Sequence, residues 1–174
     1  MEIWTIGHST LPIESFLDAL GINAIALLVD VRRFAGSRRH PQFSRDALAQ
    51  SLAVRGIDYV HHEALGGRRQ PRANSRNTAW RNHSFRGYAD YMETPEFTSA
   101  IEALLREATT RRVAIMCAEM LWWQCHRGLI ADYLKARDHR VTHIAAGGKT
   151  EPHPFTSVAR IIDGRLSYQG LLDG

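Results

Sequence analysis

The chain has 174 residues, 44% hydrophobic and 23% charged, a length that suits one compact domain over residues 1–174. It holds no internal repeat, no low-complexity tract and no apolar run of about 18 residues, which excludes collagen-like, coiled-coil, disordered and membrane-spanning classes. The N-terminus lacks the pattern of an export signal, and two cysteines are too few for a secreted disulfide framework. We therefore expect a cytoplasmic protein with reduced thiols and no membrane partner.

The first third of the chain alternates predicted strands and helices. In chain order these are a strand at Ile3–Gly7, a helix at Pro12–Leu20, a strand at Ile25–Val31, a helix from Ser44 or Arg45 to Val54, and a strand at Ile57–His62. The run Ile25–Val31 is apolar except for Asp30, which is typical of a buried parallel strand. Ser44 is the predicted N-cap of its helix.

The rest of the chain continues this alternation after an irregular loop over residues 64–84. The predicted elements are helices at Phe85–Met92 and Pro95–Glu107 (capped by Thr94), a strand at Arg112–Cys117, a helix at Cys125–Arg137, a strand at Val141–Ala145, and a hairpin of Val158–Ile162 and Arg165–Tyr168 around Asp163-Gly164. The pattern predicts an α/β three-layer sandwich with a mostly parallel five-stranded sheet and a C-terminal β-hairpin.

Titratable side chains gather where the predicted strands end. His8 and Ser9 follow the first strand, Asp30 and Arg32 the second, and Cys117 and Glu119 the fourth. Open α/β sheets bind ligands outside the carboxyl ends of their strands. We therefore expect the functional site at this edge of the sheet.

The segment from Cys117 to Arg127 places one thiol at a strand end and a second, Cys125, where a helix is predicted to begin. A helix N-terminus attracts anions and lowers thiol pKa values, and the fork of Arg127 suits a phosphate or carboxylate. The layout parallels rhodaneses and cysteine phosphatases, but nine residues rather than five separate Cys117 from Arg127. Packing roles for both cysteines, a capping role for His126, and a homodimer contact through Trp122 and Trp123 stay open as alternatives. No metal or cofactor is expected, because no metal-ligand spacing is present.

Several short motifs together resemble the family of unknown function 488. They are Thr5-Ile6-Gly7-His8-Ser9, Asp30-Val31-Arg32 with Ser37 and Phe43, Leu65-Gly66-Gly67, Phe85-Arg86-Gly87-Tyr88 with Tyr91-Met92, Cys117-Ala118-Glu119, Cys125-His126-Arg127, and Val141-Thr142-His143-Ile144. The resemblance runs from about residue 3 to residue 153 and implies an α/β fold without a settled activity. It implies a candidate site of His8, Ser9, Asp30, Arg32, Gly66, Gly67, Cys117, Glu119, Cys125, His126 and Arg127.

Two functions are compatible with these residues. The first is an enzyme, a hydrolase or transferase, acting on a nucleotide, nucleic acid or other phosphorylated anionic substrate. Its catalytic candidates are Glu119, Cys117, Asp30, His8 and Cys125, and its substrate-binding candidates are Ser9, Arg32, Gly66, Gly67, His126 and Arg127. Glycosidic-bond chemistry by two carboxylates and a thiol mechanism both stay open. The second is a non-catalytic nucleic-acid-binding module that uses the loop 64–89, with Arg68, Arg69, Arg72, Arg76, Arg81, Arg86 and Trp80. A regulatory domain that senses a small anion is a third alternative.

The distribution of arginine favours an anionic partner. The chain has 22 basic and 18 acidic residues, and 20 of the basic residues are arginines. Eleven of them lie in two stretches without any acid, between Asp30 and Asp46 and between Glu63 and Asp90. Base composition explains the preference for arginine over lysine but not the absence of acids from these two loops.

Overall fold

The computed structural model of the chain describes residues 1–170 and confirms the predicted alternation of strands and helices. The strands are β1 (Glu2–Gly7), β2 (Leu27–Asp30), β3 (Asp58–His61), β4 (Val113–Cys117), β5 (Arg140–Ile144), β6 (Thr150–Pro152), β7 (Arg160–Ile162) and β8 (Arg165–Ser167). The helices are α1 (Ile13–Ile22), α2 (Arg45–Val54), α3 (His83–Tyr91), α4 (Pro95–Ala108) and α5 (Arg127–Ala136).

The main sheet has the strand order β3-β2-β4-β1-β5-β6. Its first five strands pair in parallel, and β6 joins β5 in antiparallel register, with His143 opposite Glu151. The predicted count of five strands was therefore one too low. The strand β6 has three exposed residues and ends in Pro152, so its sequence shows no apolar alternation from which a strand could be predicted.

Two apolar layers cover the two faces of the sheet, because alternate residues of each strand point to opposite faces. Leu28 and Met116 lie with α1 and α2 in one core, whereas Val29 and Ile115 lie with α3, α4 and α5 in the other. The chain therefore forms the predicted three layers. Helices that follow β1 and β4 pack on opposite faces, so the loops after these two neighbouring strands diverge and leave a crevice between them.

Local signals set several element boundaries as predicted. The side chain of Thr94 accepts a hydrogen bond from the amide of Phe97 and caps α4. At the tip of the β7–β8 hairpin, Asp163 and Gly164 both have positive φ, as a type I′ turn requires. This hairpin forms a separate two-stranded sheet. The helix α5 begins at Arg127, so the prediction that Cys125 lies in its first turn was wrong: Cys125 is extended and directly follows a short 3₁₀ turn at Trp122–Gln124.

None of the helices in residues 1–170 is both long enough and apolar enough to cross a membrane.

Candidate active site

The loops after β1 and β4 are joined by backbone hydrogen bonds. The amide of His8 donates to the carbonyl of Cys117 at 3.0 Å, and the amide of Ser9 donates to that of Ala118 at 2.9 Å. Gly7 makes this approach possible, since a Cβ at this position would collide with the carbonyl of Glu119. The crevice therefore has a fixed floor, formed by the ends of two adjacent strands.

The two thiols meet at this floor. The 3₁₀ turn at Trp122–Gln124 reverses the chain after β4 and brings Cys125 back onto Cys117, with 2.8 Å between their Sγ atoms. Both side chains are buried, Cys117 being 3% exposed and Cys125 8% exposed, and neither is in a disulfide. Two cysteines eight positions apart thus form one dithiol.

Arg127 lies beneath the dithiol and is only 1% exposed. Its Nε lies 3.0 Å from the Sγ of Cys117 and 3.3 Å from that of Cys125. Its Nη1 donates to Oγ1 of Thr5, and its Nη2 donates to the carbonyls of Glu119 and Met120 at 2.6 and 3.0 Å. Each of the three nitrogens of this guanidinium donates inside the protein, so Arg127 stabilises the thiols and their loop. The predicted substrate-binding role of this side chain stays a prediction.

The two thiols have opposite acidities. Burial raises the pKa of Cys125, but hydrogen bonding from Cys117 and the charge of Arg127 outweigh it and lower the pKa to about 5. Burial, together with the hydrogen bond to Cys125, raises the pKa of Cys117 well above its ordinary value. At neutral pH the pair is therefore a Cys125 thiolate that accepts a hydrogen bond from the Cys117 thiol.

A cavity of about 730 Å³ opens above the dithiol and has both cysteines in its wall. Five arginines line it: Arg32, Arg33, Arg38, Arg39 and Arg68. Among the lining residues of the described chain, Glu119 is the one acidic side chain. Arg33, Arg38 and Arg39 form no ion pair with any carboxylate of residues 1–170, so their donors face the cavity or solvent. Asp30 neutralises Arg32, and the other four arginines make the cavity electropositive.

Asp30 and Arg32 form one buried unit at the end of β2. The guanidinium of Arg32 binds Asp30 through two hydrogen bonds of 2.9 and 2.7 Å, and the backbone amide of Arg32 donates to the same carboxylate. Tyr59 donates a fourth hydrogen bond at 2.5 Å. The carboxylate of Asp30 is saturated by these donors, and this holds Arg32 at the cavity wall. The catalytic role predicted for Asp30 stays a prediction.

His8 lines the cavity beside Arg32 and stacks on Phe43, with 4.4 Å between the ring centroids. Burial, helped by the neighbouring charge of Arg32, lowers the pKa of His8 to about 4, although the hydrogen bond to the carbonyl of Ser9 opposes this shift. His8 is therefore neutral at physiological pH. Ser9 has a positive φ of 46° and is absent from the described cavity lining.

Gly66 and Gly67 allow a close approach of backbone segments. A Cβ on Gly66 would collide with the backbone of Arg33, and a Cβ on Gly67 would lie 3.0 Å from the ring of His126. The Nε2 of His126 donates to the carbonyl of Val31 at 2.9 Å. These residues join the loops after β2 and β3 to the dithiol loop, and Gly67 and His126 line the cavity.

The second arginine-rich loop, residues 64–89, lines one side of the cavity but contributes few of its arginines to it. Only Arg68 of its six arginines lines it. Arg72 and Arg76 pair with Glu93 just beyond α3, Arg69 stacks on Tyr91, and Arg86 donates to the carbonyl of Trp80. The ring of Trp80 packs against Phe85 and Tyr168. The loop contains no acid, but Glu93 outside it pairs with two of its arginines. Arg81 is exposed and lies outside the described cavity lining.

A buried hydrogen-bonded chain runs behind Arg127, and the candidate residues did not include it. Oγ1 of Thr5 lies 2.6 Å from Nδ1 of His143, Nε2 of His143 lies 2.8 Å from Nδ1 of His153, and Nε2 of His153 lies 2.8 Å from Asp132. Asp132 also accepts hydrogen bonds from Thr156 and Tyr168. The available signal was a polar residue inside an apolar run, as with Thr5 in β1 and Asp132 in α5. We call this set the relay chain.

In the part of the chain that the structure describes, no group of three or more His, Cys, Asp or Glu side chains is arranged to hold a metal ion.

Comparison with known proteins gives one match. A family model described as Domain of unknown function DUF488 matches residues 12–134, which include Arg32, both cysteines and Arg127. No curated protein and no solved structure matches this chain.

Proposed function

This chain belongs to the DUF488 family, and we propose that it is a thiol-dependent enzyme acting on an anionic, phosphate-bearing substrate with Cys125 as the nucleophile. One observation carries the proposal: the Cys117 thiol, the Nε of Arg127 and the amide of Arg127 all lie within 3.3 Å of the Cys125 sulfur. Three donors favour the thiolate, which is the nucleophilic form of cysteine.

The arginines of the cavity support the choice of an anionic substrate. Arg33, Arg38 and Arg39 come from one loop and have no carboxylate partner among the described residues. A planar guanidinium binds phosphate through two parallel hydrogen bonds, and three of them around one cavity suit a phosphate-bearing ligand such as a nucleotide. The ring of His8 lies beside Arg32 and is neutral, so it does not repel the arginines of the cavity.

The chemistry begins with attack by Cys125. A bond forms between its sulfur and the electrophilic atom of the substrate, while the bond to the leaving group breaks. The leaving group departs with the electron pair and takes a proton from water. Arg127 stabilises the attacking thiolate from below. We assign Glu119, the acidic side chain of the lining, the role of accepting a proton from the second nucleophile, which cleaves the covalent intermediate and restores the Cys125 thiolate.

Alkylation kinetics test both halves of this proposal. We expect Cys125 to react with iodoacetamide as a thiolate down to about pH 5. We also expect the ratio of the iodoacetate rate to the iodoacetamide rate to be about tenfold higher for Cys125 than for a free thiol, because positive clefts raise the on-rates of anions by 10-fold or more. Pyrophosphate or a nucleotide should protect Cys125. Added salt should shrink the iodoacetate advantage.

Matched variants test whether the arginines of the cavity cause the preference for iodoacetate. Substituting Arg38 and Arg39 by alanine should abolish most of the iodoacetate advantage, whereas Arg76→Ala should leave it unchanged, since Arg76 lies outside the cavity and is 81% exposed. Any phosphate-bearing substrate found by screening should lose turnover in Cys125→Ser. Equal relative rates for the two reagents, with no protection by phosphate compounds, would overturn the proposal.

A further inference from the structure

We propose that Cys117 is a resolving thiol, and that the protein reduces an anionic disulfide by cycling the Cys117–Cys125 pair between a dithiol and an intramolecular disulfide. This inference rests on the proposed function, because it uses the same cavity and the same nucleophile. It adds the second thiol, the substrate class and the fate of the covalent intermediate.

The geometry requires little movement for a disulfide to form. The two Sγ atoms are 2.8 Å apart, and a disulfide bond is about 2.05 Å long. Cys117 is the last residue of the central strand β4, whereas Cys125 lies in an extended segment between a 3₁₀ turn and α5. The segment that holds Cys125 can therefore move to close the gap while the sheet stays in place.

Arg127 contacts both sulfurs, which allows it to serve each thiol in turn. While Cys125 is a thiolate, Nε of Arg127 lies 3.3 Å from it. Once Cys125 is bonded to substrate and has lost its charge, the same Nε, 3.0 Å from Cys117, stabilises the second thiolate as it forms. The buried guanidinium thus has an anionic partner at both stages of the reaction.

The reaction balances in two steps. First, the Cys125 thiolate attacks one sulfur of a substrate disulfide, forms a mixed disulfide and releases the other half of the substrate as a thiolate. Second, Cys117 loses its proton to the released thiolate or to water and attacks the Cys125 sulfur, which releases the remaining half as a second thiolate. The protein is oxidised by two electrons, and the substrate disulfide is reduced by two. A separate dithiol reductant then returns the pair to the reduced state.

The cavity selects the charge of the disulfide. Its walls carry five arginines and a single acid among the described residues, so a disulfide with carboxylate or phosphate groups is attracted and a neutral one is not. Both thiols belong to the cavity lining, so a substrate sulfur that reaches Cys125 also lies beside Cys117.

Two aromatic disulfides of different charge test the inference on the full chain. Dithiobis(nitrobenzoate) carries a carboxylate on each ring, and dithiodipyridine is neutral. With the carboxylate reagent we expect two aryl thiolates released per protein, no aryl group left on the protein, and a mass loss of two hydrogens. The rate advantage of the anionic reagent, relative to a free thiol, should fall by about tenfold when Arg38 and Arg39 are alanine. A dithiol reductant should restore the starting mass.

The Cys117→Ser variant separates the two steps. It should release one aryl thiolate and keep one aryl group on Cys125, and Cys125→Ser should show no fast release. The wild-type stoichiometry tests the inference even if a variant fails to fold. Release of one thiolate with a stable adduct on wild-type Cys125 would overturn the resolving role and leave the proposed function standing. A Cys125 that reacts no faster than a free thiol, without preference for the anion, would overturn both.

Discussion

Arg127 donates a hydrogen bond from Nη1 to Oγ1 of Thr5 at 3.1 Å, and this contact joins the thiol site to the relay chain. A guanidinium only donates, so Thr5 accepts from Arg127 and keeps its own proton to donate to Nδ1 of His143. At the other end, the carboxylate of Asp132 only accepts. His143 is therefore neutral, in keeping with burial lowering its pKa to about 2, and its proton lies on Nε2.

The relay chain predicts that Thr5 is sensitive to loss of its hydroxyl. Thr5→Val removes one acceptor from Arg127 and one donor to His143, both buried, and should lower the free energy of unfolding by about 1–3 kcal/mol. Thr5→Ser keeps the hydroxyl and should lose less. Urea unfolding measures both, and a valine variant as stable as the serine variant would contradict the directed chain.

The ionised Cys125 predicts that stability rises with pH above neutrality. Between pH 7 and 8.5 the folded state holds a thiolate with a pKa of about 5, whereas the unfolded state holds a thiol with a pKa near 9. The folded state thus binds one proton fewer, and the free energy of unfolding should rise by up to about 1.4 kcal/mol per pH unit. This contribution is complete above the unfolded pKa and is lost as pH falls through the folded one.

The window lies above the range in which the histidines with lowered pKa values act. His8, His62, His126, His139 and His143 change stability mainly below about pH 6.5, where the unfolded state gains protons before the folded state does. Cys117, with its pKa raised, stays protonated in both states up to pH 8.5. Urea unfolding of Cys125→Ser across the same window is the control, and a wild-type profile as flat as that of the variant would refute the thiolate.

Because the carboxylate of Asp30 has several hydrogen-bond donors, we expect the loss of stability to depend on which donor is removed. Arg32→Ala leaves a buried charge without its cation and should lower the free energy of unfolding by about 3–5 kcal/mol. Tyr59→Phe removes one hydrogen bond of four and should lower it by about 1 kcal/mol. Denaturant titration of both variants checks the order. Similar small losses would mean that water replaces Arg32 and that Asp30 is less enclosed than described.

The close approach at Gly7 predicts a clash that reaches the dithiol. A methyl group there collides with the carbonyl of Glu119, which accepts a hydrogen bond from Arg127. Gly7→Ala should therefore lower stability by about 3 kcal/mol or more and slow the alkylation of Cys125. Gly21→Ala is the control, because its Cβ would meet no atom within 4 Å and Gly21 is not among the residues that line the cavity. Gly7→Ala behaving like the control would contradict the packing of the two loops.

Much of the fold could be predicted because strands and helices of this chain carry regular apolar patterns. The start of α4, which Thr94 caps, and the turn at Asp163-Gly164 follow from local chemistry alone, whereas Ser44 precedes α2 as predicted but bonds the backbone of Ser37 instead of capping the helix. The dithiol could not be predicted in this way. Cys117 and Cys125 meet because a 3₁₀ turn reverses the chain between them, and no periodic pattern specifies the path of such a turn.

The different roles of the two arginine-rich loops also could not be predicted from the sequence. Both lack acids in the sequence and both line the cavity, but the first loop contributes Arg33, Arg38 and Arg39 to it, whereas the second contributes only Arg68 of its six arginines. The other loop folds onto α3, where Glu93 and Asp90 accept from Arg72, so its charge is partly neutralised. Which carboxylates a loop meets depends on tertiary packing, which composition along the chain does not reveal.

Burying Arg127 beneath the thiols couples the oxidation state of the sulfur to the affinity for anions. Any reaction that neutralises Cys125 leaves a cation, 1% exposed, without its counter-ion and makes the floor of the cavity more positive by one charge. A bound anion then gains more from the modified protein than from the reduced one. By thermodynamic reciprocity, an anion that fills the cavity shifts the Cys117–Cys125 pair toward the disulfide, although the same anion blocks alkylating reagents from reaching Cys125, and reduction of the disulfide promotes release of the anion.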